Sequence, residues 1–404
     1  MTDKSKIRTN AGYVLNVAWA AHRGAVQDTA AKAEEFVGRL MSPGTFLMTD
    51  RQPDIILFMS GGSERRAIEL AEPGRPVLLL SIRGNNAYAA ATEVMAWMVN
   101  NNRVAVLSDS DDALESGLIN RWRTVVGAWR LLEGSRAGLI GTVSEWLVAS
   151  DVPAETLRRL LGTELISVPW SGLPDYSRED PDKLLLNRFA GQNADGLEDA
   201  AQVLTVLRRA MHDNGLDAIA VECFSLVQER KVTACLALAQ LNTEGTVATC
   251  EGDLASMAGM MAGRALTGRV PWMANTTRLS EKSVVLSHCT APFDLVSAVK
   301  LPTHYETGYS LAVDGDITPQ DVTVFRFSEK LDRVFIAEGR VLSKPHMADA
   351  CRTQVEIELS SEAVQALREK PLGNHLLMLP GKHADLLRLA CIYKGIEQVK
   401  GGEL

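Results

Sequence analysis

The stretch TCEGDLASMAGMMAGRALTGRVPWMAN, from Thr249 to Asn275, marks the point at which the character of the sequence changes. Before it, short β-rich runs alternate with helical stretches, a pattern typical of βαβ units and parallel sheets. After about residue 270, β-rich segments separated by turn signals predict an antiparallel sheet or barrel. The sequence therefore predicts an α/β protein: Rossmann-like N-terminal domains with parallel sheets, then an antiparallel, β-rich, barrel-like C-terminal domain.

The individual elements follow from hydrophobic periodicity and turn residues. The first part is predicted to contain strands at Tyr13–Ala18, Asp54–Met59, Pro76–Ile82, Val104–Leu107, Ala137–Ile140, Leu165–Val168 and Ala218–Glu222. Helices are predicted at Asp28–Leu40, Glu64–Leu70, Ala87–Asn100, Asp112–Leu132, Ala154–Leu161, Leu197–Asp213 and Leu254–Leu266. Later strands are predicted at Ser283–Leu286, Gly308–Val313, Val322–Phe327, Arg333–Glu338 and Gln354–Leu359, with a turn at Asp314-Gly315-Asp316.

The length of 404 residues exceeds what one ordinary core accommodates. We expect an α/β domain for substrate recognition over residues 1–135 and a second α/β domain, with the catalytic glutamate, over 136–268. A β-rich domain that carries histidine ligands is expected over 269–404.

Charge and composition exclude several classes of protein. The net charge of −8 and the lack of Lys/Arg clusters argue against nucleic acid or an anionic membrane as partner. No apolar run approaches the length of a membrane span and the N-terminus lacks a secretory signal, so we expect a cytoplasmic protein. The six cysteines form no CxxC pair, which favours reduced thiols in the core.

Three acids follow apolar runs where parallel strands would end. Glu222 closes LDAIAVECF and is either a cleft residue or a solvated strand end. Asp253 stands where an N-cap satisfies free backbone N–H groups, which favours capping. Glu251 then needs another explanation, whereas the small residues of LASMAGMMAGRAL indicate close packing of a helix on a sheet.

Two histidines stand at the edges of apolar runs, His288 in LSHCTAP and His375 in PLGNHLLMLPGKH. A lone histidine in such a place is usually structural. Two imidazoles together with Glu251 form a mixed nitrogen and oxygen donor set that suits a divalent ion such as manganese.

The stretch 249–288 and the C-terminal GNHLLMLPGKHADLLRLACIYKGI resemble the L-fucose isomerase and L-arabinose isomerase superfamily, in its compact fucose-isomerase-like branch. The resemblance implies metal ligands at Glu251, Asn275, His288 and His375. It implies Mn²⁺ as cofactor, with Mg²⁺ or Co²⁺ as alternatives, and a trimer or hexamer whose subunits share active sites.

Asn275 departs from the family pattern, which has an acid there that both binds metal and transfers protons. An amide oxygen still coordinates a hard cation, but it moves no proton. Another acid must then substitute, with Glu222, Asp253 and Glu306 as candidates, or the reaction differs.

Further polar residues are candidates for contacts with a sugar. They are Arg23, Arg83, Asn85, His304, Glu306 and Asn374. Arg83 either meets an anionic group such as a phosphate or sulfonate or is solvated at the surface, and Arg23 is equally ambiguous.

The leading hypothesis is a metal-dependent aldose–ketose isomerase, an intramolecular oxidoreductase, acting through an enediol on a monosaccharide or a sugar derivative. Glu251 is expected to be both metal ligand and base, with Asp253 and Glu222 as further catalytic candidates. The alternatives are an epimerase or lyase of the same fold, or a sugar-binding protein without activity.

Overall fold

The computed structural model describes residues 12–22, 24, 28–192 and 194–401, and these residues form two compact units. The first unit comprises residues 12–131 together with 389–395, and the second comprises 132–388 together with 396–401. The domain boundaries predicted near residues 135 and 268 stay predictions. Within the described ranges, none of the helices combines the length and the apolar character that crossing a membrane requires.

The first unit is built on a parallel sheet of five strands. The strands are β1 (Leu15–Ala20), β2 (Phe46–Met48), β3 (Ile55–Phe58), β4 (Val77–Ser81) and β5 (Ala105–Asp109). They are arranged in the order β2-β1-β3-β4-β5, and all neighbours run parallel. The helices are α1 (Thr29–Leu40), α2 (Glu64–Leu70), α3 (Ala87–Asn100), α4 (Ser110–Glu115) and α5 (Leu118–Leu132). The apolar runs Ile55–Phe58 and Val77–Ser81 are wholly buried, as expected of central parallel strands.

The second unit begins with a parallel sheet of four strands. These are β6 (Arg136–Ile140), β7 (Glu164–Val168), β8 (Ala218–Val221) and β9 (Val247–Thr249), in the order β7-β6-β8-β9. Its helices are α6 (Ala154–Leu161), α7 (Lys183–Arg188), α8 (Leu197–Asn214), α9 (Phe224–Arg230), α10 (Cys235–Thr243) and α11 (Leu254–Thr267). The strands that follow β6 are added on one side of it and then on the other, so a topological switch point lies between β6 and β8. Such switch points commonly form clefts in α/β proteins.

The later part of the second unit is a closed antiparallel barrel of six strands. They are β10 (Trp272–Leu279), β11 (Ser283–His288), β14 (Asp321–Phe327), β15 (Arg333–Ser343), β16 (Thr353–Glu358) and β17 (His375–Pro380). Their order is β14-β17-β10-β11-β16-β15, and pairing of β14 with β15 closes the ring. The smaller elements are β12 (Val296–Lys300), β13 (Asp314–Ile317), α12 (Ser361–Glu369), α13 (Ala384–Lys394) and β18 (Glu397–Gln398). The predicted fold class is confirmed.

Helix α11 packs closely against the barrel, as its small residues predict. A Cβ added to Gly259 would lie 2.4 Å from Leu377 Cδ1, and one added to Gly263 would lie 2.6 Å from Pro271 Cγ. Separations this short leave no room for a side chain, so the two glycines permit the close approach of helix and strands. Because α11 also follows β9 directly, its N-terminus brings the edge of the parallel sheet to the barrel.

Three local predictions are wrong. Helix Asp112–Leu132 is interrupted at Ser116 and Gly117, where Gly117 has a φ of +68°. The predicted strand at Gly308–Val313 forms no strand, because Gly308 and Ser310 adopt positive φ values that break extended pairing. The predicted turn at Asp314-Gly315-Asp316 lies in strand β13, which pairs with β12.

Candidate metal centre

Glu251 lies in the turn between β9 and α11, with its backbone in the left-handed region at φ +59°. Such a conformation is uncommon for a residue with a side chain and costs on the order of 1–3 kcal/mol where it occurs. Two hydrogen bonds hold the turn. The Ser144 N–H donates to the Glu251 carbonyl (3.1 Å), and the Gly252 N–H donates to the Val221 carbonyl (3.0 Å). The unusual backbone therefore aims the Glu251 side chain.

Gly252 continues this turn with a φ of +67° and lies directly against the loop after β6. A Cβ at this position would be 2.3 Å from the carbonyl oxygen of Thr142. Only glycine satisfies both the left-handed backbone and the contact. In the sequence CEGD, Gly252 thus allows the turn that holds Glu251 in position.

His288 ends strand β11 and His375 begins strand β17, and both imidazoles are buried. Their ring centroids are 5.5 Å apart. Glu251 Oε1 lies 3.8 Å from His288 Nε2 and 3.5 Å from His375 Nε2. One ligand atom from each of the three residues lies within 4.8 Å of the others, so the structure brings together three residues that are far apart in the chain.

The second nitrogen of each imidazole has its own partner. His375 Nδ1 is 2.8 Å from Asp253 Oδ2, and His288 Nδ1 is 2.9 Å from Thr290 Oγ1. A carboxylate next to Nδ1 keeps the proton on that nitrogen and leaves the lone pair of His375 Nε2 available to bind a metal ion. Among the described residues, that buried Nε2 has no hydrogen-bond partner. An unpartnered buried nitrogen that faces a carboxylate fits a bound cation.

Asp253 is the N-cap of α11, which confirms its predicted capping role: its carboxylate accepts from the Ser256 N–H (2.7 Å) and from Ser256 Oγ (2.8 Å). It also pairs with Arg326 Nη1 at 3.0 Å, and both side chains are fully buried. These contacts, with the bond to His375, occupy its oxygens and hold the imidazole in place.

The electrostatics of the cluster favour positive charge. Burial alone would raise the pKa of Glu251, but the nearby imidazoles of His288 and His375 hold it far below its ordinary value. Burial likewise opposes ionisation of Asp253, yet the charge of Arg326 and the contact with His375 lower its pKa strongly. Burial would lower the pKa of His375, but Asp253 and Glu251 raise it to about 9. Two ionised carboxylates thus draw a proton to the place where a metal ion would supply the charge.

Asn275 pairs with His375 on the neighbouring strand, so the two side chains leave the sheet on the same face. Its amide oxygen accepts from Asn374 Nδ2, and its nitrogen lies 3.8 Å from Cys351 Sγ. Asn374 also receives the Thr276 N–H at 3.2 Å. The amide of Asn275 is therefore adjacent to the cluster but is engaged with Asn374.

The other predicted site residues of the second unit have different environments. Glu222 accepts from the N–H of Ser225 (2.9 Å) and from its hydroxyl, both local contacts at the start of α9. His304 is buried in a turn where its Nδ1 lies 3.2 Å from Thr307 Oγ1. Glu306 is exposed two residues later. Nearby protein still raises the pKa of Glu306 through burial; His304 opposes the shift and Glu251 adds to it.

The remaining predicted contacts belong to the first unit. Arg83 is exposed and lies 2.9 Å from Asp111, with Asp109 and Asp112 within 4 Å, so its charge is already balanced. Asn85 has a φ of +54° in the turn before α3. Arg23 lies outside the described residues.

Trp146 was not among the site residues predicted from the sequence. Its indole Nε1 donates to Glu251 Oε2 at 2.6 Å.

A cavity of about 390 Å³ elsewhere in the second unit, lined by residues such as Trp170, Ser225 and Arg230, includes none of the three clustered residues. The six cysteines, at 223, 235, 250, 289, 351 and 391, are free and buried, as predicted.

Comparison with known proteins gives a consistent direction. No family model matches the chain. The chain is 25% identical over 284 residues to the sulfoquinovose isomerase of Priestia aryabhattai, and the same figures hold for that of Priestia megaterium. The alignment covers 64% of this chain and 62% of each relative, so the chain spans less than two thirds of their length. The similarity is to enzymes that isomerise a sugar.

Proposed function

We propose that the chain is a metal-dependent aldose–ketose isomerase that acts on a sugar derivative, with a sulfonated sugar as the favoured substrate class. The observation that carries the proposal is the convergence of Glu251, His288 and His375, with the Nε2 atom of His375 buried and unpartnered among the described residues. The similarity to sulfoquinovose isomerases supports the reaction class and the sulfonated substrate.

The donor atoms suit a divalent cation. Two imidazole nitrogens and one carboxylate oxygen, without a thiolate, suit Mn²⁺, with Mg²⁺ or Co²⁺ as replacements. Atoms that share one ion at about 2.1 Å lie roughly 3 to 4 Å apart, which agrees with the separations of 3.5 and 3.8 Å. Asn275 stays a proposed fourth ligand, provided that its amide leaves Asn374. When bound, such an ion acts as a Lewis acid toward adjacent sugar oxygens.

The residues of the chain would provide the rest of the chemistry. Isomerisation through an enediol moves a proton between adjacent carbons, so a carboxylate must stand within hydrogen-bond reach. The strongly lowered pKa of Glu251 suits it as the ligand of a cation. Its side chain is 13% exposed, and Glu251 stays our proposed base. Asp253 and Glu222 are less suited to move a proton, because the former is fully buried and both carboxylates already accept local hydrogen bonds.

Glu306 is the better candidate for the second proton-transfer group. The residue is exposed to solvent. Partial desolvation by the surrounding protein raises the pKa of its carboxyl group, and the charge of Glu251 adds to this shift, whereas His304 opposes it. A raised pKa brings a carboxyl group closer to the pH range in which it both donates and accepts protons. We propose that Glu306 takes the part that Asn275 cannot, and that His304 and Asn374 contact the sugar hydroxyls.

Asn275 also supports a second candidate, an epimerase of the same fold. Without an acid at this position, a proton could return to the same carbon from which it was removed rather than to its neighbour. A lyase and a non-catalytic sugar-binding protein are the remaining alternatives. We further propose a cytoplasmic homo-oligomer with active sites shared between subunits.

Incubation with sugars in deuterated water distinguishes these possibilities. The metal-loaded protein is incubated with sulfoquinovose, with the matched unsulfonated 6-deoxyglucose, and with a panel of aldoses and ketoses. Deuterium at the carbon next to the carbonyl together with a ketose product supports the isomerase. Deuterium with inversion and no ketose supports the epimerase, cleavage products indicate a lyase, and binding without exchange indicates a sugar-binding protein.

Comparison of the two matched sugars tests the substrate class separately. Faster turnover of sulfoquinovose supports the sulfonated substrate. Equal turnover of both sugars retains the isomerase and removes the preference for a sulfonate.

A further inference from the structure

Trp146 is an exposed tryptophan that contacts a metal-ligand carboxylate. The residue is 47% exposed, yet its indole N–H donates a 2.6 Å hydrogen bond to Glu251 Oε2. Its ring also packs edge to face on Phe224, with centroids 4.8 Å apart. Phe224 in turn lies against His304 at 6.1 Å. The indole is therefore fixed from two sides.

The two oxygens of Glu251 have different surroundings. Oε2 is held by the indole, whereas Oε1 faces Nε2 of both His288 and His375. A carboxylate without the indole contact would be free to rotate and exchange its oxygens. The hydrogen bond leaves one oxygen for the cation and gives Glu251 a single orientation.

The same loop also fixes the backbone of Glu251. The Ser144 N–H donates to the Glu251 carbonyl, and the Thr142 carbonyl lies against Gly252. Residues 142–146 thus contact both the turn that contains Glu251 and its side chain. This arrangement would not be needed if the tryptophan only covered the surface.

We propose that Trp146 is a positioning residue that holds Glu251 in a one-oxygen binding mode through its indole N–H. The inference rests on the proposed function insofar as Glu251, His288 and His375 hold a divalent cation. It predicts that loss of the N–H, with the ring retained, weakens cation binding without unfolding the protein.

The test replaces Trp146 by phenylalanine, which keeps an aromatic ring against Phe224. Trp170→Phe is the matched control, because it removes an indole N–H that donates to the Glu222 carbonyl (2.9 Å) in the same unit and touches none of the three ligands. Mn²⁺ binding is measured by titration calorimetry, and folding by thermal denaturation. Removing a residue that orients a ligand costs about 10- to 100-fold in metal affinity.

We expect Trp146→Phe to bind Mn²⁺ at least about tenfold more weakly with an unchanged Tm. Trp170→Phe should bind Mn²⁺ like the wild type. In the variant, saturating Mn²⁺ should restore most of the turnover, because the defect lies in cation binding. An affinity of Trp146→Phe within twofold of the wild type overturns the inference.

Fluorescence of the wild type tests the geometry without any variant. An indole that is hydrogen-bonded to a ligand of bound Co²⁺ lies close enough for its emission to be quenched. The protein is dialysed with Co²⁺, the bound metal is quantified, and tryptophan emission is compared with that of the metal-free protein. Bound Co²⁺ without any quenching contradicts the placement of Trp146.

The measurements of Mn²⁺ affinity, Tm and fluorescence use no sugar. A protein that shows the expected Mn²⁺ and Co²⁺ responses but isomerises no sugar retains the role of Trp146 and loses the proposed function. A protein that isomerises sugars with unaltered metal affinity in Trp146→Phe retains the function and loses the inference.

Discussion

His375 Nδ1 lies 2.8 Å from Asp253 Oδ2, and this contact decides which imidazole nitrogen faces Glu251. Asp253 caps helix α11, whereas His375 begins a barrel strand 122 residues later in the chain. The hydrogen bond therefore joins the helix that follows the parallel sheet to the barrel, at the site of the proposed chemistry.

The buried pair of Asp253 and Arg326 should contribute strongly to stability. Both side chains are fully buried, so Arg326→Met leaves the Asp253 charge without its main partner. Breaking such a pair from one side typically costs about 3–5 kcal/mol. Urea denaturation should show this loss for Arg326→Met, and a smaller loss for the double variant with Asp253→Asn. Strict additivity of the two single losses would contradict the coupling.

Gly252→Ala should disrupt the turn that carries Glu251. A methyl group there would lie 2.3 Å from the Thr142 carbonyl oxygen, in addition to the cost of a positive φ. Gly268→Ala is the matched control, with φ +75° and no atom within 4 Å of the added Cβ.

The control should lose roughly 1–2 kcal/mol from the backbone alone and keep its metal affinity. Gly252→Ala should lose more stability and bind Mn²⁺ at least about tenfold more weakly, as expected when a ligand is misplaced. Equal behaviour of the two variants in denaturation and calorimetry would show that the contact with Thr142 is unimportant.

Glu306→Gln should lower turnover and leave metal binding intact. The residue is proposed to transfer a proton and makes none of the ligand contacts, so kcat should fall by about 10²- to 10⁴-fold with unchanged Mn²⁺ affinity. Steady-state kinetics and calorimetry measure the two effects, with the partly exposed Glu329→Gln as control. A fully active Glu306→Gln would return the role to Glu251 or to another acid.

Much of the fold could be predicted from the sequence because its signals are local. The buried runs at Ile55–Phe58 and Val77–Ser81 lie within predicted strands, and the helix at Ala87–Asn100 has the predicted bounds. Strand β10 was not predicted, although Trp272–Leu279 pairs with two barrel strands. Barrel strands depend on distant partners, which local periodicity does not reveal.

Gly315 shows why one turn signal misled. A Cβ at this position would lie 2.7 Å from Cβ of Val296, so the glycine permits close strand pairing rather than a reversal of the chain. The residue type was informative, but the neighbour that explains it is distant in sequence.

The site was predictable where residues stand at the ends of apolar runs. Glu251, His288 and His375 could each be singled out in this way, and the structure brings them together. Trp146 could not, because its role depends on a hydrogen bond across 105 positions of the chain. Its only signal is a tryptophan in the loop after a parallel strand.

The most direct test of the account is the Mn²⁺ content of dialysed protein, measured for the wild type and for Glu251→Gln, His288→Ala and His375→Ala. The exposed His212→Ala serves as control. The account predicts one Mn²⁺ per chain in the wild type and the control, and loss of most of it in each of the three variants. Wild-type metal content in all three folded variants would contradict it.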